Sequence, residues 1–381
     1  MEERLFYRDK NTAKILEAGR VVIYGAGTMG KALKKCLTES PYNIEVSSFI
    51  VRSMSDNDNI VDGVEVIDIE HALKLKDALV LVALNGKLIS EAVSDLESAG
   101  FNNIIPISFD GDEWTTIRSN WIRANDLLPD VKFLADIDEG VIAADKDIDV
   151  RNSSDRIHVY VVHSVYDREL VDKPVDTVYD MPIQVGAALT DRHLFSILDS
   201  NGIDNISGKN RQYCELTGIY WAWKNDDSDY IGFCHYRRRF DLTNDQIAYI
   251  AGGNADVVVT WPIVNYDTVR KQYGKDHIIE DWDTLMDVIE DIAPDYHAAA
   301  IEVQNGIYYY AYNMFIMKRD LLDDYCSFIF PILEECERRI GQKDDIYQNR
   351  YIGFLAERLL SVYLTQNRNL KVAIAEKTFY E

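Results

Sequence analysis

The sequence predicts an α/β protein of two domains. Three observations predict it. Strand-like and helix-like segments alternate through residues 20–109. A β-branched run, Ile157–Val162, restarts the pattern after an acidic interruption. The length of 381 residues exceeds what one domain ordinarily holds. The expected boundaries are a front domain at 1–125, an acidic linker at 126–155 and a second domain at 156–381.

In the front domain, Val21–Tyr24 reads as a short strand and Lys31–Glu39 as the helix that follows. Between them lies Gly25-Ala26-Gly27-Thr28-Met29-Gly30, a G-x-G-x-x-G loop. Val46–Val51, Ala78–Leu84 and Ile104–Ile107 read as further strands, and Leu88–Ser98 as a helix. A glycine loop in strand-to-helix context makes this a Rossmann-like parallel sheet domain, with Gly25, Gly27 and Gly30 as its nucleotide-like loop. A dinucleotide site also wants an acid at the end of the second strand. That strand ends Phe49-Ile50-Val51-Arg52-Ser53, and the lone Arg52 suits only a 2′-phosphate. The domain therefore reads as a ligand-poor or regulatory module, with nucleotide-sugar or nicotinamide binding as alternatives.

Residues 126–155 carry Asp126, Asp130, Asp136, Asp138, Asp145, Asp147 and Asp149 with little periodicity. Their spacing does not match a calcium loop, so a solvated connection is expected. In the second domain, Gln212–Asn225 has helical spacing through Leu216, Ile219, Tyr220 and Trp223. Tyr230–Cys234, Asp256–Thr260 and Ile307–Met317 read as strands. Arg319–Ile340 reads as a helix kinked by Pro331, and Ile352–Leu364 as the last helix.

Net charge is -24, which disfavours duplex nucleic acid and broad adsorption to anionic lipid. Five cysteines, none at C-x-x-C spacing, suggest neither a disulfide framework nor a zinc site. The first residues lack an apolar signal core, and Ala78–Leu84 is too short to span a bilayer. A cytoplasmic protein is expected, one that visits the inner face of the membrane only through its acceptor.

Several blocks of the second domain are dense in polar and aromatic residues. They are Ile183–Leu189, Asp204–Asn210, Tyr213–Lys224 (YCELTGIYWAWK), Ile231–Phe240 (IGFCHYRRRF), Tyr312–Met317 (YNMFIM) and Gly353–Leu360. As a set they resemble a domain-of-unknown-function family encoded in bacterial capsule and exopolysaccharide clusters. Some members of that family are assigned as inverting galactofuranosyltransferases. The resemblance covers roughly residues 156–375. It implies a GT-A-like α/β glycosyltransferase domain that moves a hexosyl group from a UDP-linked sugar to a glycan or lipid-linked glycan acceptor, in capsular, exopolysaccharide or O-antigen synthesis.

The residues themselves suit that chemistry. His235, Arg237, Arg238 and Arg239 follow a strand, and arginine forks two hydrogen bonds to phosphate oxygens. Alternation along an extended segment favours Arg237 on the side of His235, and separates it from Arg238. In GT-A folds the corresponding position usually holds an Asp-x-Asp metal site; here it is basic, so no metal ligands are assigned and a divalent metal is not expected. Asp226 or Asp229 would have to fold in to hold one. Asn205, Lys209 and Asn210 sit on a loop before a helix, and Glu215 and Thr217 on that helix. They are candidates for the base, ribose or diphosphate, or else loop and capping residues. Trp221 and Trp223 read as core. Inverting transfer needs one general base. Glu357 is the first candidate; Asp276, His277 and His163 follow, and an ordinary salt-bridged surface glutamate is the plain alternative. Two other functions stay open: a nicotinamide-dependent nucleotide-sugar oxidoreductase using the front domain, and a non-catalytic scaffold for polysaccharide assembly.

Overall fold

The computed structural model describes residues 10–55, 57–143 and 156–381. The chain divides into two compact units, residues 1–129 with Val264–Tyr266, and residues 130–263 with 267–381. Among the described residues, no helix is long and apolar enough to cross a membrane.

The front unit runs α1 (Lys10–Ala18), β1 (Arg20–Tyr24), α2 (Thr28–Thr38), β2 (Glu45–Val51), β3 (Ile60–Val61), β4 (Val64–Asp68), β5 (Leu79–Ala83), α3 (Lys87–Ser98), β6 (Ile104–Ile107) and α4 (Asp112–Ala124). The sheet order is β3-β4-β2-β1-β5-β6, parallel except for the β3–β4 hairpin. The five parallel strands thus follow the 3-2-1-4-5 order of a doubly wound sheet. The switch point lies between β1 and β5, where the glycine loop emerges. Strand β4 had no counterpart in the sequence pattern.

Within that loop the glycines are not equivalent. A Cβ on Gly30 would stand 1.8 Å from the Gly25 carbonyl oxygen, so α2 reaches β1 only through a bare backbone. A Cβ on Gly27 would meet nothing within 4 Å. The tight positions are therefore Gly25, whose φ is 109°, and Gly30, while Gly27 has room for a side chain. Arg52 is also accounted for locally: its guanidinium donates to Asp95 on α3 at 2.7 and 3.0 Å.

The second unit runs β7 (Lys132–Phe133), α5 (Ala135–Asp138), β8 (Ile157–His163), β9 (Asp180–Gln184), β10 (Ile197–Leu198), α6 (Asn210–Tyr213), α7 (Leu216–Asn225), β11 (Tyr230–His235), β12 (Arg238–Asp241), α8 (Asn244–Ala251), β13 (Val257–Thr260), α9 (Val269–Asp276), α10 (Ile279–Ile292), α11 (His297–Asn305), β14 (Phe315–Lys318), α12 (Arg319–Ile340), α13 (Tyr351–Gln366) and β15 (Val372–Phe379). Its main path is β10-β9-β8-β11-β14-β13-β15. All of these strands are parallel except β14, which is antiparallel to both neighbours. The α/β class expected of both parts is what the structure contains. β14 can lie against β11 because Gly232 stands between them: a Cβ there would come within 2.8 Å of the Phe315 carbonyl.

Three sequence expectations change. The helix expected over Gln212–Asn225 breaks in two at Cys214, whose φ is 52°. The strand expected over Ile307–Met317 breaks at Tyr312 and Asn313, both left-handed, and β14 begins only at Phe315. Part of the acidic connection belongs to the second unit. β7 pairs with β15, Phe133 stacks on Trp261 at 5.0 Å, and the Asp138 carboxylate accepts from Thr243 and Gln246, the residues that box the start of α8. Residues 144–155, including Asp145, Asp147 and Asp149, lie outside the described residues. Pro331 sits inside α12, which continues through it.

Two measurements follow from this packing. Gly30→Ala should lower the unfolding free energy by about 1–3 kcal/mol, the range for overpacking, while Gly27→Ala should change it little; a denaturant titration of both variants compares them. A fragment of residues 130–381 should melt well above one of residues 156–381, because the shorter piece uncovers the surface that Leu134 and Ile137 bury. Equal melting temperatures would mean that β7 and α5 add nothing.

Candidate functional site

Parallel strands β8, β9 and β11 end at one edge of the second sheet, and ligand sites in open α/β sheets lie at that edge. Antiparallel β14 enters the sheet there. The residues just before it, Tyr312 and Asn313, have φ of 69° and 50°. Cys214, at the break before α7, has φ of 52°. Left-handed backbone at non-glycine residues costs of the order of 1 kcal/mol or more each and persists where the surroundings hold it. The two segments meet: the Asn313 amide donates to Glu215 Oε1 at 2.7 Å. His235 closes the group from the end of β11, its Nε2–H donating to the Tyr312 carbonyl at 2.6 Å. That carbonyl can only accept, so Nε2 carries the proton.

Glu357 on α13 faces the same turn. Its Oε1 accepts from the Tyr312 backbone N–H at 3.2 Å and its Oε2 from Arg358 at 2.8 Å. The side chain is 20% exposed. Burial raises its pKa above the ordinary glutamate value, Glu215 adds to the rise, and Arg358 and Arg238 oppose it. Arg358 is itself buried, donates to the Phe354 carbonyl and the Tyr309 hydroxyl, and lies 4.3 Å from the Tyr309 ring. Each carboxylate oxygen of Glu357 keeps a second lone pair for an incoming hydroxyl.

The arginine run is folded differently from an extended strand. His235 pairs directly with Arg238 across a tight turn formed by Tyr236 and Arg237. Arg238, not Arg237, is therefore the companion of His235, lying 4.6 Å from the Tyr312 ring and acting electrostatically on Glu357. Arg237 lies 5.3 Å from the Phe379 ring. Arg239 turns away, itself buried, to pair with the buried side chain of Asp180 and with exposed Asp176. The turn breaks the alternation that an extended segment would give.

The loop candidates mostly serve the framework. Asp199 is fully buried and accepts from the backbone of Gly186 and Ala187 and from the hydroxyls of Ser207 and Thr217. Asn210 donates to the Cys214 carbonyl and to Thr217. Asn205 donates to the carbonyls of Ser200 and Gly202, and Lys209 pairs with Glu337 at 2.7 Å. These contacts hold the loop after β9 and the break at Cys214. Of this group only Glu215 reaches the turn at Asn313. Trp221 donates to the Asn201 carbonyl, and Trp223 stacks on Phe330.

The other base candidates separate on electrostatics and position. His277 stacks on Phe354 at 4.0 Å, and burial together with Arg358 and Arg350 lowers its pKa to about 3. A group that weakly basic is poorly matched to proton abstraction near neutrality. Asp276 is exposed and accepts from Gln272. His163, at the end of β8, lies 4.7 Å from Phe195 and 6.1 Å from Tyr236. Asp226 is hydrogen-bonded to His158, Tyr160 and Ser228, and Asp229 pairs with Arg156. Asp229 stands just ahead of β11, about 20 Å from His235 at 3.3 Å per residue, and Asp226 caps α7 with its carboxylate held by His158, Tyr160 and Ser228, so neither joins His235 around a metal. Among the described residues no group of three or more His, Cys, Asp and Glu is disposed to hold a metal ion.

Tyr312, Asn313, Cys214 and Arg350 complete the site and were not singled out from sequence. Arg350 donates to the Cys214 sulfur at 3.2 Å, and burial pushes that thiol up to about 11. The Asn313 side-chain oxygen is buried without a protein partner. The only sequence signal for these residues is that three of the four lie in or beside the motif blocks.

Comparison with known proteins gives two matches. A solved structure of WbbM, a bifunctional glycosyltransferase in its apo form, is 25% identical with a TM-score of 0.50, over 58% of this chain. The matched part spans 45% of the WbbM chain, so the likeness concerns less than half of that protein. No curated protein matches the chain. The family described as "Domain of unknown function (DUF4422)" matches residues 160–368, more than half of the sequence and all of the site above, and the chain belongs to that family.

Proposed function

We propose that the second unit is an inverting glycosyltransferase, which moves a hexosyl group from a UDP-linked sugar to a glycan acceptor in the synthesis of a bacterial surface polysaccharide. Galactofuranose is the sugar suggested by the family resemblance. One observation carries the reading: a desolvated carboxylate, Glu357, a second carboxylate, Glu215, and a cationic turn, His235 to Arg238, converge on the left-handed Tyr312–Asn313 segment. The likeness to a bifunctional glycosyltransferase supports it independently.

In this reading Glu357 takes the proton of the acceptor hydroxyl. The acceptor oxygen bonds to the anomeric carbon on the face opposite the leaving group. The bond from that carbon to the diphosphate breaks, and UDP leaves with the electron pair. A single displacement inverts the anomeric centre. Arg238 offsets the charge that grows on the leaving diphosphate, as charge-assisted donors do. Arg358 keeps the Glu357 carboxylate oriented. In the same reading Glu215 and Asn313 hold sugar hydroxyls, the one as an acceptor and the other as an amide. The front unit takes no part in the chemical step.

Glu357→Gln should cut turnover by about 10²–10⁴ while UDP still binds, since the amide keeps the shape and loses the base. Near-normal turnover in a steady-state assay would remove Glu357 from the mechanism. The acid limb of kcat should also lie above the ordinary glutamate range: the raised pKa keeps Glu357 protonated, and so inactive as a base, to a higher pH. A limb at or below the ordinary value would contradict the desolvated base.

Arg238→Ala should weaken UDP about 10- to 100-fold, from one charged hydrogen bond worth about 1.5–3 kcal/mol. Arg237→Ala should do less. Calorimetric titrations of UDP, with and without EDTA, separate the possibilities. An EDTA-sensitive affinity that ignores both arginine substitutions would sink the cationic diphosphate site.

A further inference from the structure

The loop ahead of α13 borders an open cavity of about 580 Å³, lined by Asp344, Asp345, Ile346, Tyr347 and Arg350. None of the residues assigned above to the donor or to the base lines it. Ile346 is 86% exposed and Tyr347 50%. Two adjacent large apolar side chains left open in a concave place mark a contact surface. The loop beneath them is fixed: Asp345 accepts from the Gln348 backbone N–H at 2.7 Å, and the Lys343 N–H donates to Asn349.

The cavity is joined to the reaction centre on both sides. The Tyr347 ring lies 5.2 Å from that of Phe354 and stacks with His277 at 5.9 Å. Phe354 and Glu357 are three residues apart on α13 and so share one face. Tyr347 and Glu357 interact electrostatically. On the other side Arg350 reaches the Cys214 sulfur, next to Glu215.

We infer that this cavity is the subsite for the terminal sugar of an uncharged glycan acceptor. The inference rests on the transferase reading and names the second substrate of the same site. A hexose ring has an apolar C–H face and a rim of hydroxyls. Ile346 and Tyr347 give that face a floor, and the carboxylates of Asp344 and Asp345 accept from the rim. These two carboxylates outnumber the one guanidinium in the lining, Arg350, so the cavity is net acidic and disfavours phosphate, which distinguishes it from the cationic turn at Arg238. A volume of about 580 Å³ falls within the range of small-ligand pockets and takes one or two sugar rings. An acceptor seated here presents its hydroxyl toward Glu357.

Saturation-transfer NMR on the full chain tests this with methyl β-D-galactopyranoside and methyl β-D-glucopyranoside, and with UDP in separate samples. At least one glycoside should receive saturation at its ring protons. Ile346→Ser and Tyr347→Ala should each weaken it about tenfold, the usual size for an aromatic or apolar anchor, with UDP unchanged. Ile346→Ser keeps the test independent of folding, because that side chain is almost fully exposed. Absence of transfer to both glycosides, or binding by both variants equal to the parent protein, overturns the inference. If glycosides bind and the variants lose them while UDP never binds, the subsite stands and the UDP-donor reading falls.

Discussion

An antiparallel strand set among parallel ones must enter the sheet at the edge where its neighbours leave. β14 does this between β11 and β13. The chain therefore reverses at the edge where β8 and β11 end, and the reversal is made by Tyr312 and Asn313 in left-handed conformation. Neither residue is glycine, so the turn must be held from outside. His235 holds the Tyr312 carbonyl, Glu357 its N–H, and Glu215 and the Gly353 carbonyl hold the Asn313 amide. The groups that fasten the turn are the groups with chemistry to offer.

This arrangement ties stability to function. Each fastening group is a polar atom partly withdrawn from water, where an unmade hydrogen bond is expensive. The same withdrawal raises the basicity of Glu357, and the two neighbouring arginines keep the rise in check. The protein carries a charge of -24, yet its site combines two carboxylates with a cationic turn. The turn offers Arg237 and Arg238, whereas in the cavity by Tyr347 the carboxylates of Asp344 and Asp345 outnumber the one guanidinium of Arg350.

Much of the fold was legible. The Gly25–Gly30 loop between a strand and a helix marks a doubly wound sheet, because Gly25 takes a φ of 109° and Gly30 lets α2 close on β1. The strands at Ile157 and Tyr230 and the last helix were legible from β-branched runs and helical spacing. The illegible parts share a cause. The break at Cys214, the turn at Tyr312–Asn313 and the hairpin at Tyr236–Arg237 all interrupt a pattern without any Gly or Pro to announce it. Periodicity carried the reading straight through them, which is why Arg237 was expected beside His235 and Glu215 inside a continuous helix. β7 escaped for a related reason: a two-residue strand lying in an acidic stretch has no period to detect.

Glu357 was legible as a glutamate on a helix, and nothing in its neighbours by number distinguishes it from a surface residue paired with Arg358. Its desolvation and its contacts with Tyr312 and Glu215 come from segments some 45 and 140 positions away. What the sequence determined by itself was local: which stretches form strands and helices, where a glycine loop must turn, and which residues carry charge. Only the tertiary structure decided which of those charges face one another, because left-handed turns and an inserted antiparallel strand are stabilised by partners distant in the chain, and no local pattern records them.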